Sequence, residues 1–313
     1  MNIREFLANP PVVVDNNKIR KHFNNKTVLV TGGAGYIGSA LCHKLFDFGV
    51  SKVIAFDIDD TRLHNLWLEM DETKPFVSYL GDVKDNPRVT EVFNEYNIDI
   101  VFHTAAIKHV PLAELYPKEA VKVNVLGTNN VLKNAIIKNV DQFINISTDK
   151  AADAIGAMGK TKYAAELMCM AYGDAYRVNK KIMTMRFGNI YDSRGSVVPT
   201  FKNKIRNDKP IQITDTSMER YFIKADDAIL LTLHACTINE GYKDIFTFDM
   251  GRPIKIIDIA NHLIEESGKD ININIIGKRP GEKLNEVLFS ENEMILETDH
   301  PRIYKIFKKS SKE

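Results

Sequence analysis

Ser147, Thr148, Asp149 and Lys150 bring hydroxyl, carboxyl and amine groups together where the apolar run Phe143-Ile144-Asn145-Ile146 ends. Such a run predicts a strand, and ligands in open α/β sheets collect at the C-terminal strand edge. A second cluster, Met158-Gly159-Lys160-Thr161-Lys162, opens a helical stretch over 162–171 that can fold a lysine back over the first. A carboxyl beside an amine can serve as a general acid and a general base. For that chemistry the amine must be neutral and the carboxyl protonated. Holding a free lysine neutral at pH 7 costs roughly 4.6 kcal/mol. Burial and neighbouring cations reduce that cost, and a dry pocket helps the acid keep its proton. The competing possibility is an inert Asp149–Lys150 ion pair.

A cofactor site is predicted upstream. Gly32, Gly35 and Gly38 follow an apolar strand run (27–30) and precede a helical pattern (39–48), with Tyr36 and Ile37 inside the turn. Glycines let the backbone approach a pyrophosphate, and a helix start offers unpaired N–H groups. The spacing is GxxGxxG. Asp57 ends the second strand about twenty residues on, where a carboxylate accepts from a ribose 2′-hydroxyl. This favours NAD, while Arg62 keeps NADP possible. Asp82 and Val83, after the third strand, are placed to contact adenine, although Asp82 also reads as a turn residue. Ala105 and Ala106, after the fourth, are small enough to let the cofactor pass.

These groups need a frame. Strands are expected at 27–30, 52–56, 76–80, 99–103, 142–146 and 182–186, with helical patterns between them. Such alternation predicts an α/β fold, a Rossmann-type doubly wound parallel sheet. After Asn189 the alternation weakens, leaving one βα piece (245–248, then 255–266). We divide the chain into an extension (1–24), a cofactor domain (25–190) and a smaller, partly interleaved substrate lobe (191–313). Helical stretches at 113–140 and 157–176 could pair across a dimer.

Composition sets bounds. The chain has 313 residues, 44% hydrophobic, with 42 basic against 41 acidic side chains and a net charge of +1. That balance gives no electrostatic case for nucleic acid or a membrane surface. No apolar run reaches the roughly 18 residues of a membrane span, and residues 1–5 do not read as a signal peptide. Cys42, Cys169 and Cys236 are odd in number and far apart, which suits a reducing cytoplasm and argues against a zinc site. His103 and His109 are expected to be structural. The basic end, 308–312, reads as a frayed tail.

At these motifs the chain resembles the extended short-chain dehydrogenases/reductases. Within them it is most similar to the nucleotide-sugar 4,6-dehydratases of polysaccharide biosynthesis that act on UDP-N-acetylglucosamine. The likeness is carried by the glycine turn, the run Ala105-Ala106-Ile107-Lys108-His109-Val110-Pro111-Leu112 with 117–128, the stretch 147–162, and Arg279-Pro280-Gly281-Glu282-Lys283. Arg186-Phe187-Gly188-Asn189 and Gly195-Ser196-Val197-Val198-Pro199 also match. Residues 9–24 resemble the segment just ahead of the catalytic domain in membrane-embedded members. Two positions depart from the pattern. Met158 stands where the superfamily has a tyrosine, as in some of these dehydratases. The loop 151–156 lacks the usual proline and asparagine.

The resemblance implies a hydride-transfer dehydration. Lys150 would be the C5 base, Asp149 the acid at the 6-hydroxyl, Thr148 a hydrogen-bond partner of the 4-oxygen, and Lys162 the grip on the nicotinamide ribose. It adds Asn124 and Ser147 to the cofactor contacts. Asn189 and Val197 would contact UDP, Arg220 and Arg279 the diphosphate, and Glu282 the uridine ribose. Lys108 would meet cofactor or sugar. A homo-oligomer is expected. The rivals are a nucleotide-sugar 4-epimerase, which would want a tyrosine at position 158, and a non-catalytic NAD-binding protein.

Overall fold

The computed structural model describes residues 6, 7, 9, 11–175, 181–238 and 244–309. Runs of branched apolar residues buried on both faces form the parallel centre of one nine-stranded sheet. Its strands are β1 (Thr27–Thr31), β2 (Lys52–Asp57), β3 (Phe76–Leu80), β4 (Ile100–His103), β5 (Gln142–Thr148), β6 (Lys181–Phe187), β7 (Ile245–Phe248), β8 (Glu293–Glu297) and β9 (Ile303–Lys308). The spatial order is β8-β9-β7-β6-β5-β4-β1-β2-β3. β9 runs antiparallel to β7 and to β8, and the other pairs are parallel. Since β1 has β2 on one side and β4 on the other, the chain leaves the middle in opposite directions. A crevice opens there at the C-terminal strand ends.

The helices are α1 (Asn16–Phe23), α2 (Tyr36–Phe46), α3 (Asp60–Glu69), α4 (Asn86–Glu95), α5 (Val110–Leu115), α6 (Pro117–Val121), α7 (Thr128–Ile137), α8 (Ala157–Ala175), α9 (Val197–Arg206), α10 (Ala225–Cys236) and α11 (Ile256–Ser267). Aspartate N-caps start α1, α3 and α4: Asp15, Asp59 and Asp85 each accept from the N–H three residues on. One face of the sheet packs residues of α1, α2 and α10; the other packs residues of α4, α7 and α8.

The expected helical stretch over 113–140 is divided into shorter pieces. Pro117 restarts it as α6, and Lys122–Gly127 widens into a π-helix that leaves Asn124 fully buried. The end of the stretch 157–176 falls on residue 176, outside the described residues.

One segment differs from the expectations. The basic end is not frayed through Lys309: Lys308 closes β9, and Lys309 donates N–H to Asn292 O at 2.9 Å. Residues 310–312 lie outside the described residues. Ahead of β1, Leu7 is fully buried among Val198, Phe201 and Ile205, and Asn9 Nδ2 donates to Phe222 O (2.9 Å) and Met250 O (2.8 Å). Leu7 and Asn9 are thereby stitched onto the C-terminal half.

Candidate active site

β5 delivers Thr148 to the sheet edge, and a 3-10 turn over Asp149–Ala151 follows at once. The turn draws the next two side chains together. Asp149 is fully buried; its Oδ1 accepts from Thr148 Oγ1 and from Lys150 Nζ, each at 2.9 Å. Lys150, its side chain 19% exposed, also donates to Asn189 Oδ1 at 3.2 Å. The ion pair posed as the inert alternative is thus present. Asp149 Oδ2, however, is buried without a partner. Gly188 keeps that oxygen clear, since a Cβ there would sit 3.2 Å from it. Asn189, expected on the nucleotide, accepts from Lys150 here. Met158 lines the same cleft as Lys150, so a thioether occupies the tyrosine's place.

Lys162 lies one helical turn inside α8 and is 5% exposed. Burial lowers its amine to about 8, while the Glu166 carboxylate one turn further on pulls the other way. Among the described residues its ammonium has no hydrogen-bonding side chain, so a ligand hydroxyl can claim it. Glu166 belongs to a charge network that sequence reading missed. Arg186 binds it through Nε (3.1 Å) and Nη2 (2.5 Å), and reaches Glu293 with Nη1 (2.8 Å) and Nη2 (3.1 Å). Ser147, expected at the cofactor, donates its hydroxyl to Glu166 Oε1 at 2.5 Å.

At the glycine turn the lack of a side chain serves packing as much as ligand approach. A Cβ on Gly32, whose φ is +66°, would come within 2.7 Å of Ala105 N, and one on Gly38 within 2.1 Å of Gly32 O. Gly35 is less crowded, with a nearest contact of 3.0 Å. Asp57 Oδ2 accepts from Ala34 N at 2.9 Å and so also holds the turn. Gly35 caps α2, and among the described residues the first-turn N–H groups of Tyr36, Ile37 and Gly38 have no backbone partner. These free donors at a helix start fit the diphosphate of a dinucleotide.

Across the crevice, Asn124 is fully engaged: Oδ1 accepts from Ile107 N (2.8 Å), and Nδ2 donates to Ile107 O (3.1 Å) and Thr161 Oγ1 (2.9 Å). It pins the loop carrying Ala105 and Ala106 to α8 instead of reaching a cofactor. Asp82 accepts from Lys84 N at 2.9 Å, a turn role, and Val83 packs against Gly127. His103 is structural, as expected. The Thr128 hydroxyl donates to Asn124 O (2.7 Å), so it accepts from His103 Nε2 (2.9 Å), and Thr31 donates to Nδ1 (2.7 Å). Burial keeps that ring neutral, lowering it to about 3.

The expected nucleotide grips are mixed. Arg220 is 7% exposed and its guanidinium is tied to carbonyls of Glu219 (2.6 Å), Leu284 (2.7 Å) and Lys283 (2.7 Å). It organises the loop of Lys283 and Leu284, whereas a diphosphate contact was expected. Arg279 is exposed, and its N–H meets Glu282 Oε2 at 3.2 Å. Val197 is the first residue of α9. Lys108 is exposed and donates to Arg194 O at 3.0 Å. Glu286, overlooked in the sequence, is buried and lines the cleft with Lys150. Only its place in the Lys283-Leu284-Asn285-Glu286 run, just past the Arg-Pro-Gly-Glu-Lys motif, could have marked it.

A doubly wound sheet with this glycine turn and an Asp-Lys pair beyond β5 is the arrangement of an extended short-chain dehydrogenase/reductase. The chain belongs to the polysaccharide biosynthesis protein family, whose model matches residues 28–308. It is 38% identical over 312 residues to the capsular polysaccharide biosynthesis protein CapD of Staphylococcus aureus, covering 97% of this chain and 52% of that protein. The chain thus spans about half of CapD's length. It is 35% identical to a Rickettsia felis protein named UDP-glucose 4-epimerase, covering 91% of this chain and 83% of that one. Among solved structures, Pen from Bacillus thuringiensis superposes with a TM-score of 0.85 at 33% identity, covering 90% of this chain and 88% of that one. Among the described residues no helix is long and apolar enough to cross a membrane, and no cluster of three metal-ligating side chains occurs.

Proposed function

We propose that this chain is a nucleotide-sugar 4,6-dehydratase that converts UDP-N-acetylglucosamine to its 4-keto-6-deoxy product for glycan assembly, with NAD or NADP as resident cofactor. The observation that carries this reading is the Thr148–Asp149–Lys150 cluster, closed on itself yet with one carboxyl oxygen free. The chemistry supplied by a bound nicotinamide is a hydride accepted from sugar C4 and returned to C6. The free N–H groups of Tyr36, Ile37 and Gly38 would hold its diphosphate, Asp57 its adenosine ribose, and Lys162 its nicotinamide ribose.

The ion pair is compatible with these roles. Moving one proton from Lys150 Nζ to the free Asp149 Oδ2 leaves every observed hydrogen bond in place. The amine still donates to Asp149 Oδ1 and Asn189 Oδ1 and gains a lone pair, while Oδ2 gains an acidic proton. Because Asp149 already carries the proton it will deliver, the 4-hydroxyl proton leaves to a water held by Thr148. Once C4 is a ketone, Lys150 removes the C5 proton and Asp149 Oδ2–H protonates the departing 6-hydroxyl, which leaves as water. The Lys150 ammonium then returns its proton to C5, the proton held by the water recharges Asp149, and no reducing power is consumed overall.

The named Rickettsia relative favours a second reading, a 4-epimerase. Met158 speaks against it, since it cannot take the 4-hydroxyl proton as a tyrosinate does. Incubation with UDP-N-acetylglucosamine and NAD(P), followed by NMR of the product, separates the two. A 4-keto-6-deoxy sugar lighter by one water supports the dehydratase; an isomer of unchanged mass supports the epimerase; unchanged substrate refutes both. Exposed Leu112, Leu115 and Tyr116, in and just after α5, support the expected homo-oligomer, which sedimentation of the pure protein checks.

A further inference from the structure

A second carboxyl group, besides Asp149, faces the cleft, and neither the fold nor the steps above need it. Glu286 is 6% exposed and lines the cleft beside Lys150, Met158 and Lys283. Its Oε2 is buried without a hydrogen-bond partner. The two nearest cations stand off: Arg220 Nη2 is 4.0 Å from Oε1, and Lys283 Nζ is 4.0 Å from Oε2. A closed, charge-assisted pair shortens to roughly 2.8 Å. Both cations are turned elsewhere, Arg220 to the carbonyls of its loop and Lys283 to Ala152 O at 2.9 Å.

The backbone that carries Glu286 is nevertheless fixed. Glu219 N donates to Leu284 O at 3.1 Å, Arg220 takes the carbonyls of Lys283 and Leu284, and Glu219 bridges to Asn285. Burial raises the Glu286 carboxyl above the usual range, opposed by Lys150, reinforced by Asp149, and opposed again by Arg220 and Lys283. A carboxyl group dried, rigidly mounted and denied a hydrogen bond is costly to keep. A donor from a bound molecule removes that cost.

We propose that Glu286 is a substrate-contacting residue whose free oxygen accepts a hydrogen bond from an O–H or N–H of the sugar ring held beside Lys150. The inference rests on the nucleotide-sugar reading above. It assigns Glu286 to the hexose and not to the nucleotide, so it governs the difference in affinity between a sugar nucleotide and the bare nucleotide.

The test is calorimetric titration of UDP and of UDP-N-acetylglucosamine into the full chain, with no NAD(P) added, for wild type, Glu286→Met and Glu286→Gln. Met has no acceptor oxygen, whereas Gln keeps one. The UDP affinity stays within about twofold throughout, while the sugar nucleotide binds roughly tenfold or more weakly to Glu286→Met and less weakly to Glu286→Gln. Wild-type sugar-nucleotide affinity in Glu286→Met overturns the proposal. So does an equal loss for both probes, the mark of a purely structural carboxylate, or a wild type that binds neither probe. Should Glu286→Met fail to fold, the isosteric Glu286→Gln decides alone: a loss selective for the sugar nucleotide supports the proposal, and no selective loss overturns it. A wild type that binds the sugar nucleotide but makes no ketone once NAD(P) is supplied refutes the dehydratase reading only, because the affinity comparison is made without turnover.

Discussion

Arg186 grips Glu166 through two hydrogen bonds at a point where neither side chain has any exposed surface. Its Nη1 and Nη2 also reach Glu293, so β6, α8 and the edge strand β8 meet on one guanidinium. Ser147, one residue before Thr148-Asp149-Lys150, donates to the same Glu166. Through this contact the end of β5 is registered against the helix that carries Lys162.

Removing the guanidinium leaves two buried carboxylates without their counter-charge. Arg186→Met is expected to cost about 3–5 kcal/mol of stability, read as a lower Tm or urea midpoint. A midpoint equal to wild type would show that the network contributes little to folding.

Lys150→Met keeps the stem but removes the amine. Cofactor binding should persist, because the glycine turn, Asp57 and Lys162 are untouched, while turnover of the sugar nucleotide falls by about a thousandfold. Near-normal turnover would refute the base assignment.

Lys162→Met separates stability from function. Burial lowers the amine to about 8 in the folded chain from 10.5 when exposed. The unfolded chain therefore binds this proton more tightly, and folding carries a penalty of about 3 kcal/mol below pH 8. The penalty fades as pH climbs from about 8 toward 10.5. At pH 7 the variant should melt higher than wild type while binding NAD(P) more weakly. Melting curves at pH 7 and pH 10 test the sign, and an advantage larger at pH 10 would contradict the assignment.

The glycine turn gives a graded comparison. A Cβ at position 38 falls 2.1 Å from Gly32 O, inside the backbone, whereas at position 35 the nearest atom is 3.0 Å away. Gly38→Ala should lose about 1–3 kcal/mol or more and its cofactor affinity, with Gly35→Ala the milder of the two in stability. Equal melting temperatures for the two variants would show that packing is not what position 38 requires.

Much of the frame is legible in the chain because its signals are local. Val28, Leu29 and Val30 announce a buried strand, Gly32 and Gly35 a turn, and Asp149 and Lys150 are neighbours before anything folds. The end of the edge hairpin β8–β9 escapes such a reading because Lys308 and Lys309 open a run of lysines and serines that imitates a solvated tail. Asn124 and Ser147 lie where a cofactor contact is expected, but their hydrogen bonds go to partners 17 to 37 and 19 residues away. No spacing rule reveals that.

What the sequence by itself determined is therefore the parallel βα frame up to β6, the glycine turn and the adjacency of Asp149 and Lys150, since each depends on residues within a few positions of one another. The tertiary structure alone decided which charges are buried and what they face. Arg186, Arg220 and Glu286 read alike as ionisable side chains. Folding places the first between two carboxylates, ties the second to backbone carbonyls and leaves the third with a free oxygen. The physical reason is that desolvation and pairing are set by neighbours distant in the chain, and those become neighbours only when the sheet closes.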